Sequence, residues 1–119
     1  MRNMSFMLTE PQFLDGSKTV TRRLGWAFLK PGDRVRAVRK AMGLPKGGHV
    51  EPLGIIEIVS VRRERLNEIT YEEVQREGFP GKTAFWFVRF FCTNMKVESG
   101  RLITRIEFFR VEPDTEGGE

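Results

Sequence analysis

Three stretches of the chain alternate as β-strands do, and together they commit it to a sheet with a buried face. Residues 34–39, Arg34-Val35-Arg36-Ala37-Val38-Arg39, place apolar side chains at alternate positions, the period of a half-buried strand. Residues 54–63 (GIIEIVSVRR) are dense in β-branched side chains, which pack well on a pleated surface. Residues 102–111 set Leu102, Thr104, Ile106 and Phe108 against Arg101, Arg105 and Glu107, an apolar face opposite a charged one. A short run at 19–23 is also β-prone.

Between these runs lie helix signals. Thr9-Glu10-Pro11 reads as a helix start, with Pro11 tolerated in the first turn. Gly16 closes that short helix, and Phe13 and Leu14 are expected to face inward. Thr70-Tyr71-Glu72-Glu73 is a capping box, which starts a helix ending at Gly78. The aromatics of 84–91 fall too densely for one helix face, but Thr83 before them and Cys92-Thr93-Asn94 after them favour a helix. Pro31-Gly32-Asp33 is a turn. Residues 39–53, with Gly43, Pro45, Gly47, Gly48 and Pro52, form a long loop, and loops of that length are usually functional or mobile. The order is helix, strands, long loop, strand, two helices, strand. Strands this short around one core predict an α+β domain, a small, partly open mixed β-barrel with short helices packed against it. One domain over 1–112 and a disordered acidic tail at 113–119 are expected.

Composition narrows the chemistry. With one Cys and one His in 119 residues, neither an internal disulfide framework nor a His/Cys-rich zinc site can be built. A reducing, cytoplasmic setting is expected, with no metal and no cofactor. No apolar run approaches the ~20 residues of a membrane span. The net charge of +4 averages an acidic stretch, residues 112–119 with four acids, against +8 on residues 1–111. Residues 17–40 hold eight bases (Lys18, Arg22, Arg23, Lys30, Arg34, Arg36, Arg39, Lys40) and one acid, Asp33. Such a segment attracts a polyanion or a phosphate-bearing ligand, unless the acids of 64–77 offset it.

Reactive side chains concentrate in the same segment. Asp15-Gly16-Ser17-Lys18-Thr19-Val20-Thr21-Arg22-Arg23 gives a lysine, two threonines and two arginines within six residues. An amine of lowered pKa can take a hydroxyl proton and so activate a nucleophile. Arg22 and Arg23 would lower the Lys18 pKa by like-charge repulsion, and burial would add to that. The plainer reading is a β-strand with solvent-facing bases. In a regular strand, positions i and i+3 face opposite ways, so Lys18 and Thr21 share a cleft only if the chain bends there. Glu77 ends the capped helix, where the macrodipole disfavours a carboxylate, as suits a proton donor or shuttle. Trp26, Phe79 and Trp86 could stack on a base, although core packing is the simpler use of Trp86. Cys92 reads as a small hydrophobe and His49 as an exposed loop residue.

Taken in order, these motifs resemble the ASCH domain, a member of the PUA-like superfamily of RNA-associated β-barrels. They are a helix ending in Gly16, the Gly16-Ser17-Lys18-Thr19-Val20-Thr21-Arg22-Arg23 motif, Pro31-Gly32-Asp33 before a strand, and Gly54-Ile55-Ile56-Glu57-Ile58. Glu77-Gly78-Phe79 and a strand ending Ile106-Glu107-Phe108 complete the set, which spans about residues 6–109. The resemblance implies a PUA-like pseudo-barrel whose cleft is lined by the Lys-Thr-x-Thr-x-Arg segment and binds RNA or modified nucleosides. One bacterial branch, the N(4)-acetylcytidine amidohydrolases, implies Lys18 as base, Thr21 as nucleophile and Glu77 as the residue assisting proton transfer. Candidate nucleic-acid contacts are Thr19, Arg22, Arg23, Trp26, Arg39 and Lys40. The chain departs from that branch in Gly78-Phe79, in its larger 39–53 loop and in its aromatic helix. Other ASCH proteins bind or cleave RNA, and a non-catalytic module with residues 85–91 as a protein interface stays open beside them.

Overall fold

The structure, a computed structural model, describes residues 1–41 and 46–111. The acidic tail expected at 113–119, and residues 42–45 of the expected loop, lie outside the described residues. Strand β1 (Asn3–Ser5) leads through a 3-10 turn, Met7–Thr9, into helix α1 (Glu10–Asp15). Then come β2 (Val20–Arg23), β3 (Arg34–Val38) and β4 (Pro52–Arg65). A second 3-10 turn, helices α2 (Tyr71–Arg76) and α3 (Ala84–Met95) and strand β5 (Leu102–Val111) follow. The predicted sequence of helices and strands is present. Two differences matter: β4 runs two residues past the expected 54–63 at each end, and β1 carried too few residues to show a period.

The strands form one sheet in the order β1-β3-β4-β5-β2. Only the β1–β3 pair is parallel. The sheet is not closed into a barrel, because β1 and β2 are its two unpaired edges. The α+β architecture therefore stands, and the described strands form an open five-stranded sheet where a partly open barrel was expected. In place of a ladder, the Arg23 guanidinium crosses from β2 to β1, donating from NH1 to the Ser5 carbonyl at 2.6 Å.

Alternation along β5 feeds two cores. Ile106 and Phe108 point to one side, where Met4, Phe6, Phe13, Val35 and Ile56 join them. Ile103 points to the other, where α2 and α3 bring Val74, Phe87 and Phe91. A register shift between Ile58 and Ser60 makes Val59 an extra residue in β4, the local signature of a β-bulge. It keeps Val61 packed on the first core beyond the bulge. Thr70 and Thr83 cap α2 and α3 by accepting from the Glu73 and Trp86 amides at 3.2 and 3.0 Å. Gly16 ends α1 in the left-handed region, at φ +84°. Phe13 is fully buried, but Leu14 is half exposed: a six-residue helix has one inward face, and Phe13 takes it.

Candidate functional site

Three chain segments meet where α1 ends, β2 begins and α2 ends. The Lys18 amide donates to the Gln12 carbonyl at 3.1 Å and the Thr19 amide to the Arg76 carbonyl at 2.8 Å. Gly78, at φ +101°, lets the chain turn out of α2 against α1; a Cβ there would stand 2.7 Å from Gln12 Cβ. The turn delivers Glu77 to Lys18. Lys18 Nζ donates to Glu77 Oε1 at 2.7 Å and to the Glu77 carbonyl at 3.0 Å, with both side chains 3% exposed. Burial pulls the Lys18 pKa below the usual lysine value against the opposing pull of Glu77, and Arg23 and Arg22 lower it further. The like-charge effect predicted for the two arginines is present, but burial is the larger cause.

Glu77 Oε2 accepts from Arg22 NH1 at 3.2 Å. Arg22 NH2 also donates to Glu64 and Glu73, each at 2.8 Å. Burial works against the charge on Arg22, and the surrounding carboxylates more than offset it, so its pKa is raised. Glu73 in turn accepts from Arg105 Nε and NH2, both at 2.9 Å. Arg22 and Arg105 are register partners on β2 and β5, like charges directly opposed, an arrangement that is destabilising by itself. Glu73 sits between them and ties both. Those Arg105 bonds, with Arg22 as a further donor, hold the Glu73 carboxyl down at about 2 despite burial.

Thr21 reaches the same cleft from the other face of β2. Its Oγ1 accepts from Arg23 Nε at 3.0 Å, and the Arg23 guanidinium lies 4.7 Å from the Phe6 ring centre. Burial draws Arg23 to about 10, with Glu77 opposing. Lys18 precedes β2 in an irregular segment, so strand alternation does not hold between Lys18 and Thr21, and both border the cleft. β2 is an edge strand, and the cleft wraps around its free edge, so residues from both faces contribute. Lys18 Nζ gives its hydrogen bonds to Glu77, and none is formed with Thr21 among the described residues.

The cleft has a volume of about 290 Å³, near the lower end for small-molecule pockets. Lys18, Thr21, Arg22, Arg23 and Glu77 form its polar side; Phe6, Trp26, Phe79, Phe87, Phe90 and Phe91 form its apolar walls. Trp26 stands at φ +63°, in the left-handed region bulky residues rarely occupy. Thr104 Oγ1 donates to the neighbouring Gly25 carbonyl and anchors that turn.

Three predicted contacts do not line the cleft. Thr19 accepts from Arg76 Nε at 3.1 Å and faces away. Arg39 is paired with Glu10 and Glu51 on the surface, and Lys40 is exposed. The α3 wall, Phe87, Phe90, Phe91 and Asn94, escaped the sequence reading, although its i, i+3, i+4, i+7 spacing marks one helix face. Glu64, Glu73 and Arg105 were also missed. Among the described residues no group of three or more His, Cys, Asp or Glu side chains is arranged to hold a metal ion, and no helix is long and apolar enough to cross a membrane.

No protein-family model and no curated protein matches the chain. Solved structures do. One is protein EF3133 from Enterococcus faecalis, of family DUF984, at TM-score 0.67 and 18% identity over 99% of this chain and 80% of that one. Another is the ASCH domain from Lactobacillus crispatus, at TM-score 0.64 and 20% identity over 92% of this chain and 78% of that one. The chain has an ASCH fold. The hypothetical protein PH0355 shares it, at TM-score 0.64 and 15% identity over 92% of this chain and 96% of that one. Within this ASCH fold Val20–Arg23 form the edge strand, and Lys18, Thr21, Arg22 and Arg23 give the polar side of the cleft with Glu77.

Proposed function

We propose that the cleft binds one nucleoside unit, of RNA or of a modified nucleoside, and hydrolyses an amide on its base, with N(4)-acetylcytidine as the reference substrate. The observation that carries this reading is that Lys18, Thr21 and Glu77 all border one cleft, about 290 Å³ in volume with aromatic walls, a space suited to a single base and sugar. Because burial lowers the Lys18 pKa, the neutral amine a general base needs is easier to reach.

In the reaction, Thr21 Oγ1 attacks the acetyl carbonyl carbon and its proton passes to the neutral Lys18 amine. Arg23, already donating to Thr21 Oγ1, stabilises the oxyanion. The C–N bond then breaks, and the cytosine amine leaves with a proton from the Lys18–Glu77 pair. Water hydrolyses the acetyl ester on Thr21 and acetate departs. Bound substrate must first draw Thr21 Oγ1 and Lys18 Nζ together, as catalytic contacts often tighten only in the complex.

Incubation with N(4)-acetylcytidine, followed chromatographically for cytidine, tests this. Turnover is expected to fall about 10²–10⁴-fold in Lys18→Met and to background in Thr21→Ala. Its rate should rise with pH to a midpoint below 10.5, the ordinary lysine value. No turnover by the wild-type protein, or turnover unchanged from wild type in both variants, removes the hydrolytic reading. A second reading, a binding module without chemistry, is favoured by the direction of the Lys18 hydrogen bonds, which go to Glu77 and not to Thr21. It predicts calorimetric binding of N(4)-acetylcytidine with no cytidine released.

A further inference from the structure

Half of the basic segment that suggested a polyanion is spent in ion pairs. Lys18 and Arg22 hold buried carboxylates, Arg34 pairs with Glu57, and Arg39 pairs with Glu10 and Glu51. The α3 side of the cleft is different. Between Glu77 and Glu98 the chain has no acidic residue, while it carries Lys82, Arg89 and Lys96. Among the described residues Lys82 and Arg89 have no ion-pair partner; each lies over an aromatic ring instead. Lys82 Nζ is 5.0 Å from the Trp86 ring and the Arg89 guanidinium 5.7 Å from Phe85. Phe85 is 71% exposed, far more than packing would leave a phenylalanine.

These groups are continuous with the cleft. Phe79 and Phe90 line it, and Trp86 stacks on Phe90 at 5.0 Å with the planes 10° apart. Beside Phe90, Lys82, Phe85, Trp86 and Arg89 follow one another at spacings of three and four residues, one stripe along α3 and its N-terminal turn. Flat π-faces alternating with unpaired cations are what a single strand uses: bases stack on the rings and phosphates meet the cations.

We propose that the outer face of α3 is a track for a single-stranded polynucleotide, along which nucleotides flanking the one in the cleft are held. This rests on the nucleoside reading of the cleft and specifies it, since the bound unit is then part of a chain.

The test compares N(4)-acetylcytidine with a cytidine pentaribonucleotide carrying N(4)-acetylcytidine at its centre, and a deoxy pentamer of the same form, by calorimetry at two salt concentrations. A pentamer is expected to bind at least about tenfold tighter than the nucleoside, the gain of one stacked base. Its affinity should fall with a log–log salt slope of about −1.4 for two phosphates. Phe85→Ala and the double variant Lys82→Gln/Arg89→Gln alter surface residues and should each remove most of that gain while leaving nucleoside affinity within about twofold. Pentamers no tighter than the nucleoside, variants that weaken both ligands equally, or a protein dimer that Phe85→Ala dissociates would each overturn the proposal. A pentamer gain for RNA or for DNA supports the track, and the ratio of the two reports the sugar preferred. If the nucleoside fails to bind while a pentamer binds through Phe85, the cleft reading falls and the α3 track stands. If neither ligand binds, both fall.

Discussion

Arg22 has no solvent-exposed side-chain atom, and its two terminal nitrogens meet Glu64, Glu73 and Glu77, while its Nε is buried with no partner. An arginine in such a place is a structural centre, and the acid that matters most to it is Glu73, which also holds Arg105. Glu73→Gln removes the charge between two opposed guanidiniums, leaves both under-compensated, and is expected to cost on the order of 3 kcal/mol. Urea unfolding measures this, and an unchanged midpoint would refute it. Little of this was legible beforehand. Glu73 reads as the last residue of a capping box, and the Thr70 half of that box forms, but the Glu73 carboxylate goes to strands 51 and 32 residues away. Local spacing carries no signal for such partners. Lys18, by contrast, stood out for the threonines and arginines clustered after it, and Glu77 for ending a capped helix before Gly78; the two meet in one ion pair.

At the scale of elements, the site depends on how α2 ends. The stop at Gly78 was readable, but not its reason, which is the closeness of α1. An added Cβ at Gly78 meets Gln12 Cβ at 2.7 Å, whereas at Gly81, also at positive φ, it meets nothing within 4 Å. Both substitutions to alanine carry backbone strain of about 1–3 kcal/mol, and Gly78→Ala adds the clash and displaces Glu77 from Lys18. Gly78→Ala is therefore expected to lower the thermal midpoint more than Gly81→Ala and to impair nucleoside binding, which Gly81→Ala leaves intact. Equal effects would count against this account. The longer strands and the capped helices were visible from pattern and caps. β1 was not, because three residues show no period, and its role comes from pairing with β3 across 33 positions.

Across the whole molecule, charge acts inside more than outside. Acids of β4, α2 and β5 (Glu64, Glu73, Glu107) meet bases of β2, α2 and β5 (Arg22, Arg76, Arg105) beneath α2, so this network is neutral and adds nothing to the net +4. The pH dependence follows. The Glu73 carboxyl is held down at about 2 in the folded protein, against an ordinary glutamate value of 4.5, and Glu64 and Glu107 are lowered too. A depressed carboxyl contributes its full stability above the unfolded value and loses it as the folded value is approached. Urea midpoints should therefore hold down to pH about 4.5 and fall steadily toward pH 2. A flat profile over that window would show the network to be energetically silent.

One consequence remains in the seam of the sheet. Four strand pairs are joined by backbone ladders, and the fifth junction is a single guanidinium reaching from β2 to the Ser5 carbonyl. A ladder opens only when many backbone bonds yield together, but a lone side chain can swing aside by a change of rotamer, on a timescale far shorter than unfolding. The β2 edge can thus part from β1 while all four ladders stay in register. The same arginine holds the Thr21 hydroxyl, so any movement of β2 away from β1 is felt at that hydroxyl.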